Sequence, residues 1–132
     1  MSAWHGDVAG RFLAQNRWRD FELSQPLVFH GRTGFEIIVP AGFVTDFASV
    51  PRALWSILPP YGPWTRGAIL HDYLWRLLYC GAPHPLAPDS RTAAKIFLEA
   101  MRESGVKPVT AWTLYAATRA FPYLKAVVYG LR

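Results

Sequence analysis

Cysteine is nearly missing from this chain of 132 residues: Cys80 stands alone. One thiol excludes an internal disulfide framework and a zinc site built from cysteines only. A reducing compartment is the simplest expectation. Charge is scarce too, at 17% of residues against 52% hydrophobic ones. That balance excludes a disordered chain, which needs the reverse. Long apolar runs are absent. The nearest, Thr110 to Leu131, is broken by Arg119, Pro122 and Lys125, so no membrane span is expected. The opening residues, with His5, Asp7 and Arg11, lack the apolar stretch of a signal peptide. There is no internal repeat and no low-complexity segment.

Aromatic residues are plentiful: six Trp, six Tyr and eight Phe. A chain of this length can bury roughly two thirds of its unfolded surface. One domain over residues 1–132 is expected, β-rich over 1–48 and α-rich over 49–132. Fourteen Lys and Arg against nine Asp and Glu give a formal charge of +5. The cations are scattered, with Arg17, Arg19 and Arg32 the nearest thing to a group, and no nucleic-acid-binding motif accompanies them. Nucleic acid is a partner that the charge permits but does not favour.

The first half reads as strands. Leu27–His30 and Phe35–Val39 are rich in β-branched and aromatic residues, with Gly31 to Gly34 between them. That pattern predicts a hairpin. Further strands are expected near 17–23 and over 43–45. From Ser49 the pattern turns helical. Ser49 ahead of Pro51 predicts a short helix through Leu54, Trp55 and Leu58, ended by Pro59 and Pro60. A second helix is predicted over 65–79. A third runs from Asp89, as its cap, to about Ser104, with Gly105 as its stop. A fourth begins near Pro108. Strands followed by helices give an α+β fold: a small N-terminal antiparallel hairpin or sheet packed against about four helices.

Two polar stretches stand on apolar ground. One runs from Thr45 through Asp46 and Ser49 to Arg52; the other is His71-Asp72, inside an apolar helix. A charged pair in such a helix needs a partner. Neighbouring helical positions point about 100° apart, so the two side chains are expected to flank a cleft at the helix edge. Three readings fit them. In the first, His71 is a hydrogen-bonded core residue and Asp72 ties the helix to the stretch after Asp46 or to Arg52. In the second, Asp46, His71 and Asp72 hold a divalent metal such as zinc. In the third, His71 is a metal-free base oriented by a carboxylate. The structural reading ranks first. Ser49 reads as a helix cap. Arg52 falls in a first helical turn, where the dipole disfavours a cation. It calls for a carboxylate partner or, with Ser49, a bound phosphate or carboxylate. Cys80 reads as a buried, inert thiol.

Three blocks carry a resemblance: GFVTDFASVPR over Gly42 to Arg52, AILHDYLW over Ala68 to Trp75, and IFLEAM over Ile96 to Met101. In this order and spacing the chain resembles the domain of unknown function 1353 family of bacteriophage and prophage genomes, over about Phe35 to Phe121. The family's third block usually carries Asp where this chain has Ala94. A metal or acid–base cluster of the family would comprise Asp46, His71, Asp72 and that Asp, for which Asp89 is the nearest substitute here. The resemblance implies a phage or prophage origin and supplies no reaction. Two functions are expected from different classes. One is a small accessory or virion protein without cofactor, acting through a phage or host protein in tail, assembly or host-factor binding. Its polar cluster would be structural, and its aromatic residues would suit interface anchors. The alternative is a small hydrolase-like enzyme, metal-dependent in one form. Asp46, His71 and Asp72 would act, and Arg52 would hold an anionic group. The expected location is the bacterial host cytoplasm or the virion.

Overall fold

A computed structural model describes residues 3–14, 20–45 and 63–120. Six short strands precede three helices: β1 (Trp4–His5), β2 (Gly10–Phe12), β3 (Phe21–Leu23), β4 (Leu27–His30), β5 (Glu36–Val39), β6 (Val44–Thr45), α1 (Thr65–Tyr79), α2 (Ser90–Glu103) and α3 (Pro108–Ala120). The fold is α+β, as the order of patterns predicts.

The predicted hairpin is β4–β5. Its register sets Leu27 opposite Val39 and Phe29 opposite Ile37. These four side chains are all buried, while Glu36 and Ile38 point outward. Alternation with a period of two puts one apolar face inward. The strands form two antiparallel three-stranded sheets, ordered β1-β4-β5 and β2-β3-β6. A single sheet or hairpin was the expectation. The second sheet escapes it because β1, β2, β3 and β6 have two or three residues each, too few to show alternation. Gly6, at φ +88°, turns the chain between β1 and β2 in a conformation that side-chain-bearing residues avoid.

The helices match three of the four expected; the short one through Leu54 and Leu58 lies outside the described residues. Asp89 caps α2, its side chain accepting from the Thr92 N–H at 2.7 Å. Gly105, at φ +80°, ends it. The Gly105 N–H bonds the Arg102 carbonyl and the Val106 N–H bonds the Met101 carbonyl, which satisfies carbonyls the helix leaves open. Gly81 ends α1 in the same way, its N–H donating to Leu78 and that of Ala82 to Leu77. Cys80 is exposed at this end, which corrects the expectation of a buried thiol. It is the cap residue beyond the last turn, where the apolar face has run out.

One core cluster joins both sheets to α1 and α2: Leu23 and Phe29 meet Ile69, Leu74, Ile96 and Ala100. A smaller cluster lies among the helices, from Ala68, Phe97, Met101, Val106, Ala111 and Leu114. Helix α1 is thus enclosed on most sides, with Gly67 to Asp72 all buried. The sheet side is also tied to the end of α2. The Trp4 indole donates to Ser104 Oγ at 2.9 Å, and the Arg32 N–H donates to Glu99 at 3.1 Å. Among the described residues no helix is long and apolar enough to cross a membrane.

Candidate functional site

The second polar stretch lies in the middle of α1. Asp72 is fully buried and His71 is 3% exposed. Strand β6 reaches Asp72 from the sheet. Pairing with β3 sets Thr45 opposite Phe21, and Thr45 too is buried. Its hydroxyl donates to Asp72 Oδ2 at 2.9 Å. The other carboxyl oxygen, Oδ1, lies 3.3 Å from Arg76 Nε, one turn further along α1. An acid four residues ahead of a base is the favoured order on a helix.

Arg76 opens toward solvent, with about a third of its side chain exposed. Its guanidinium lies 5.7 Å from the Phe43 ring centroid, within cation–π range. Phe43 in turn meets Tyr73 edge to face at 5.3 Å. Thr45, Asp72, Arg76, Phe43 and Tyr73 therefore form one clasp holding the end of the second sheet on α1. On another side of the helix, the His71 ring lies 5.1 Å from Phe97 of α2. His71 and Asp72 diverge, as adjacent helical positions must. Among the described residues, Asp72 meets Thr45 and Arg76 and His71 meets Phe97, and both side chains are buried.

Chemically, the clasp is suited to holding. A buried carboxyl is tolerated where hydrogen bonds and a cation meet it. A base or nucleophile must also reach its substrate, and His71 is 3% exposed and Asp72 0%. The remaining expected residues, Asp46, Ser49 and Arg52, lie outside the described residues. Of the expected metal set, His71 and Asp72 are described and Asp46 is not. Among the described residues, no three His, Cys, Asp or Glu side chains come together as a metal's ligands. Position 94, where the family's Asp would stand, is an alanine 1% exposed. Asp89 serves as the α2 cap. Its carboxyl is held below its ordinary value, chiefly by hydrogen bonds from Thr92, with Arg91 and Arg119 adding to the effect.

Sequence reasoning gave no role to Arg76 and named Thr45 only as the start of a polar stretch. Arg76 was visible as the i+4 partner of Asp72. Thr45 was visible as the residue before Asp46 in a strand whose β-branched hydroxyl must find an acceptor once buried.

Comparison with known proteins agrees with the sequence blocks. The family model described as "Protein of unknown function (DUF1353)" matches residues 21–118. A curated relative, "Uncharacterized protein y4jT" of Sinorhizobium fredii (strain NBRC 101917 / NGR234), is 30% identical over 115 residues. The match covers 86% of this chain and 32% of that protein, so the chain spans about a third of the relative's length. No solved structure matches. With a family match running from β3 to α3, which takes in the clasp, the chain belongs to the DUF1353 family.

Proposed function

We infer that this chain is a binding module, with its His71-Asp72 pair used to hold the fold and not to turn over a substrate. One observation carries the reading: Asp72 is 0% exposed and bonded to Thr45 and Arg76, with His71 equally enclosed against Phe97. Among the described residues, the two most exposed large apolar side chains lie elsewhere, on α3. Val109 is 79% exposed and Trp112 53%, with the Trp112 ring 5.6 Å from Tyr115. Exposed aromatic side chains are the usual anchors of protein interfaces. The family resemblance adds the setting we propose: a phage or prophage accessory or virion component. It would bind a phage or host protein in the host cytoplasm or the virion, without a cofactor.

The test is elemental analysis of chelator-free protein beside Thr45→Val and Asp72→Asn. Melting curves and hydrolysis of p-nitrophenyl esters and phosphates are run on all three. The reading expects no stoichiometric transition metal, no turnover, and lower melting temperatures in both variants. An equivalent of metal, or a turnover lost in a variant that melts like the parent, would instead favour the hydrolase-like alternative through Asp46, His71 and Asp72.

A further inference from the structure

The cations divide sharply along the chain. Among the described residues, Arg11, Arg32, Arg66 and Arg76 each sit in an ion pair, with Glu22, Glu103, Asp7 and Asp72 respectively. Arg91, Lys95, Arg102, Lys107 and Arg119 are in none. All five belong to the α2–α3 hairpin or its connecting turn.

Three of them make a ridge. Arg91, Lys95 and Arg102 stand four and seven residues apart on α2, and all are exposed. At about 100° per residue they fall within roughly 40° of one another, along about 16 Å of helix. The helix dipole favours Arg102, in the last turn, but neither of the other two. Arg91 is in the first turn of α2, where the dipole disfavours positive charge. Lys95 repels it from four residues on. Asp89 attracts Arg91, but it is shared with Arg119 while it caps the helix. The acids that could neutralise the ridge from its own helix, Glu99 and Glu103, are turned to Arg32. Folding therefore accounts for only part of the ridge, whereas a negatively charged partner accounts for all of it.

We propose that the outer face of the α2–α3 hairpin docks an acidic, partly apolar segment of another protein, whose carboxylates pair with Arg91, Lys95 and Arg102. The observations favour protein over nucleic acid. Half-buried Leu98 falls between Lys95 and Arg102 on the same ridge, and α3 adds exposed Val109 and Trp112. That mixture of cations and apolar groups is protein-interface chemistry. A phosphate backbone gains nothing from Val or Leu, and it would run past Glu99 and Glu103 on the same helix. The relative extends well beyond the matched region, which shows this kind of domain joined to further protein.

The inference rests on the binding-module reading, and its test separates the two. Fluorescein-labelled poly-L-glutamate and labelled oligothymidine of equal length are titrated with the whole chain at low and moderate salt. Two triple variants follow: Arg91→Gln/Lys95→Gln/Arg102→Gln, and Arg11→Gln/Arg32→Gln/Arg66→Gln. Each removes three positive charges, the first from the ridge and the second from paired arginines outside it. Poly-glutamate is expected to bind with an affinity that falls with salt. The ridge variant should lose about tenfold and the paired-arginine variant much less. Equal losses in the two variants, or no binding by the parent, overturn the proposal. Tighter binding of oligothymidine also overturns it, in favour of nucleic acid. None of these outcomes alters the metal and melting results on Thr45→Val and Asp72→Asn, which decide the binding-module reading separately.

Discussion

The sheet side and the helical hairpin treat charge in opposite ways. Around β6 and α1, a carboxyl goes fully inside because a hydroxyl and a guanidinium meet it there. Among the described residues, Arg11, Arg32 and Arg66 are also each matched to an acid, and one of those acids, Glu103, comes from α2. In the hairpin the inside is a small apolar cluster and the cations outside stand unmatched. The first region is arranged for its own stability. The second keeps Arg91 and Lys95 on a helix whose dipole gains nothing from them, and the docking proposed above would give them a use.

The largest effect that could break this contrast is at the clasp. Asp72→Ala leaves the Thr45 hydroxyl buried without its acceptor, a loss of roughly 2–3 kcal/mol. Thr45→Val leaves one carboxyl oxygen short of a donor, a loss of roughly 1–2 kcal/mol. Because both act on one hydrogen bond, the double variant should fall short of the sum by at least about 0.5 kcal/mol. Urea unfolding of the four proteins measures this. Strict additivity would mean that Thr45 and Asp72 stabilise the chain independently, and the clasp would not be a unit.

The clasp also marks the limit of what was legible in the sequence. Both regular periods were readable: two in β4 and β5, and the helical one in α1, α2 and α3. Asp89 and Gly105 announced the ends of α2 because capping is local chemistry. The second sheet was hidden because strands of two or three residues carry no period, and their pairing is set by distant partners such as Phe21 and Thr45. The polar pair was visible, but its meaning depended on what enclosed it. In the sequence His71 and Asp72 read alike as ligands or as core residues, because the packing of β6 and α2 around α1 leaves no local mark there. The exposure of Cys80 was missed for a related reason. An apolar helix pattern does not show on which turn its cover stops.

A smaller effect sharpens the contrast at the start of α2. The Asp89 carboxyl is held below its ordinary 3.8 by the bonds from Thr92. A depressed folded-state value means that the cap stabilises fully above 3.8 and loses this contribution as pH falls through the lower folded value. Asp89→Ala should therefore melt below the parent at neutral pH, by less than the clasp variants. The gap should close in strong acid. A gap unchanged across that acid range would show that the carboxyl charge is not what caps α2.

The smallest effect carries the opposite sign. Replacing Arg91 and Lys95 by Gln removes a cation from the first turn of α2 and a like-charge pair at four-residue spacing. At low salt the variant should be more stable than the parent by roughly 0.5 kcal/mol. In about 1 M salt the screening length shrinks to roughly 3 Å, and the gain should vanish. Arg76→Gln, also the loss of one arginine charge on a helix, should instead destabilise at both salt concentrations, because its partner Asp72 is buried beyond the reach of screening ions. Opposite signs for two such neutralisations would show that the hairpin's cations are kept for something outside the fold. Destabilisation by the Arg91 and Lys95 changes would return the ridge to the protein's own stability and remove the physical ground for a partner there.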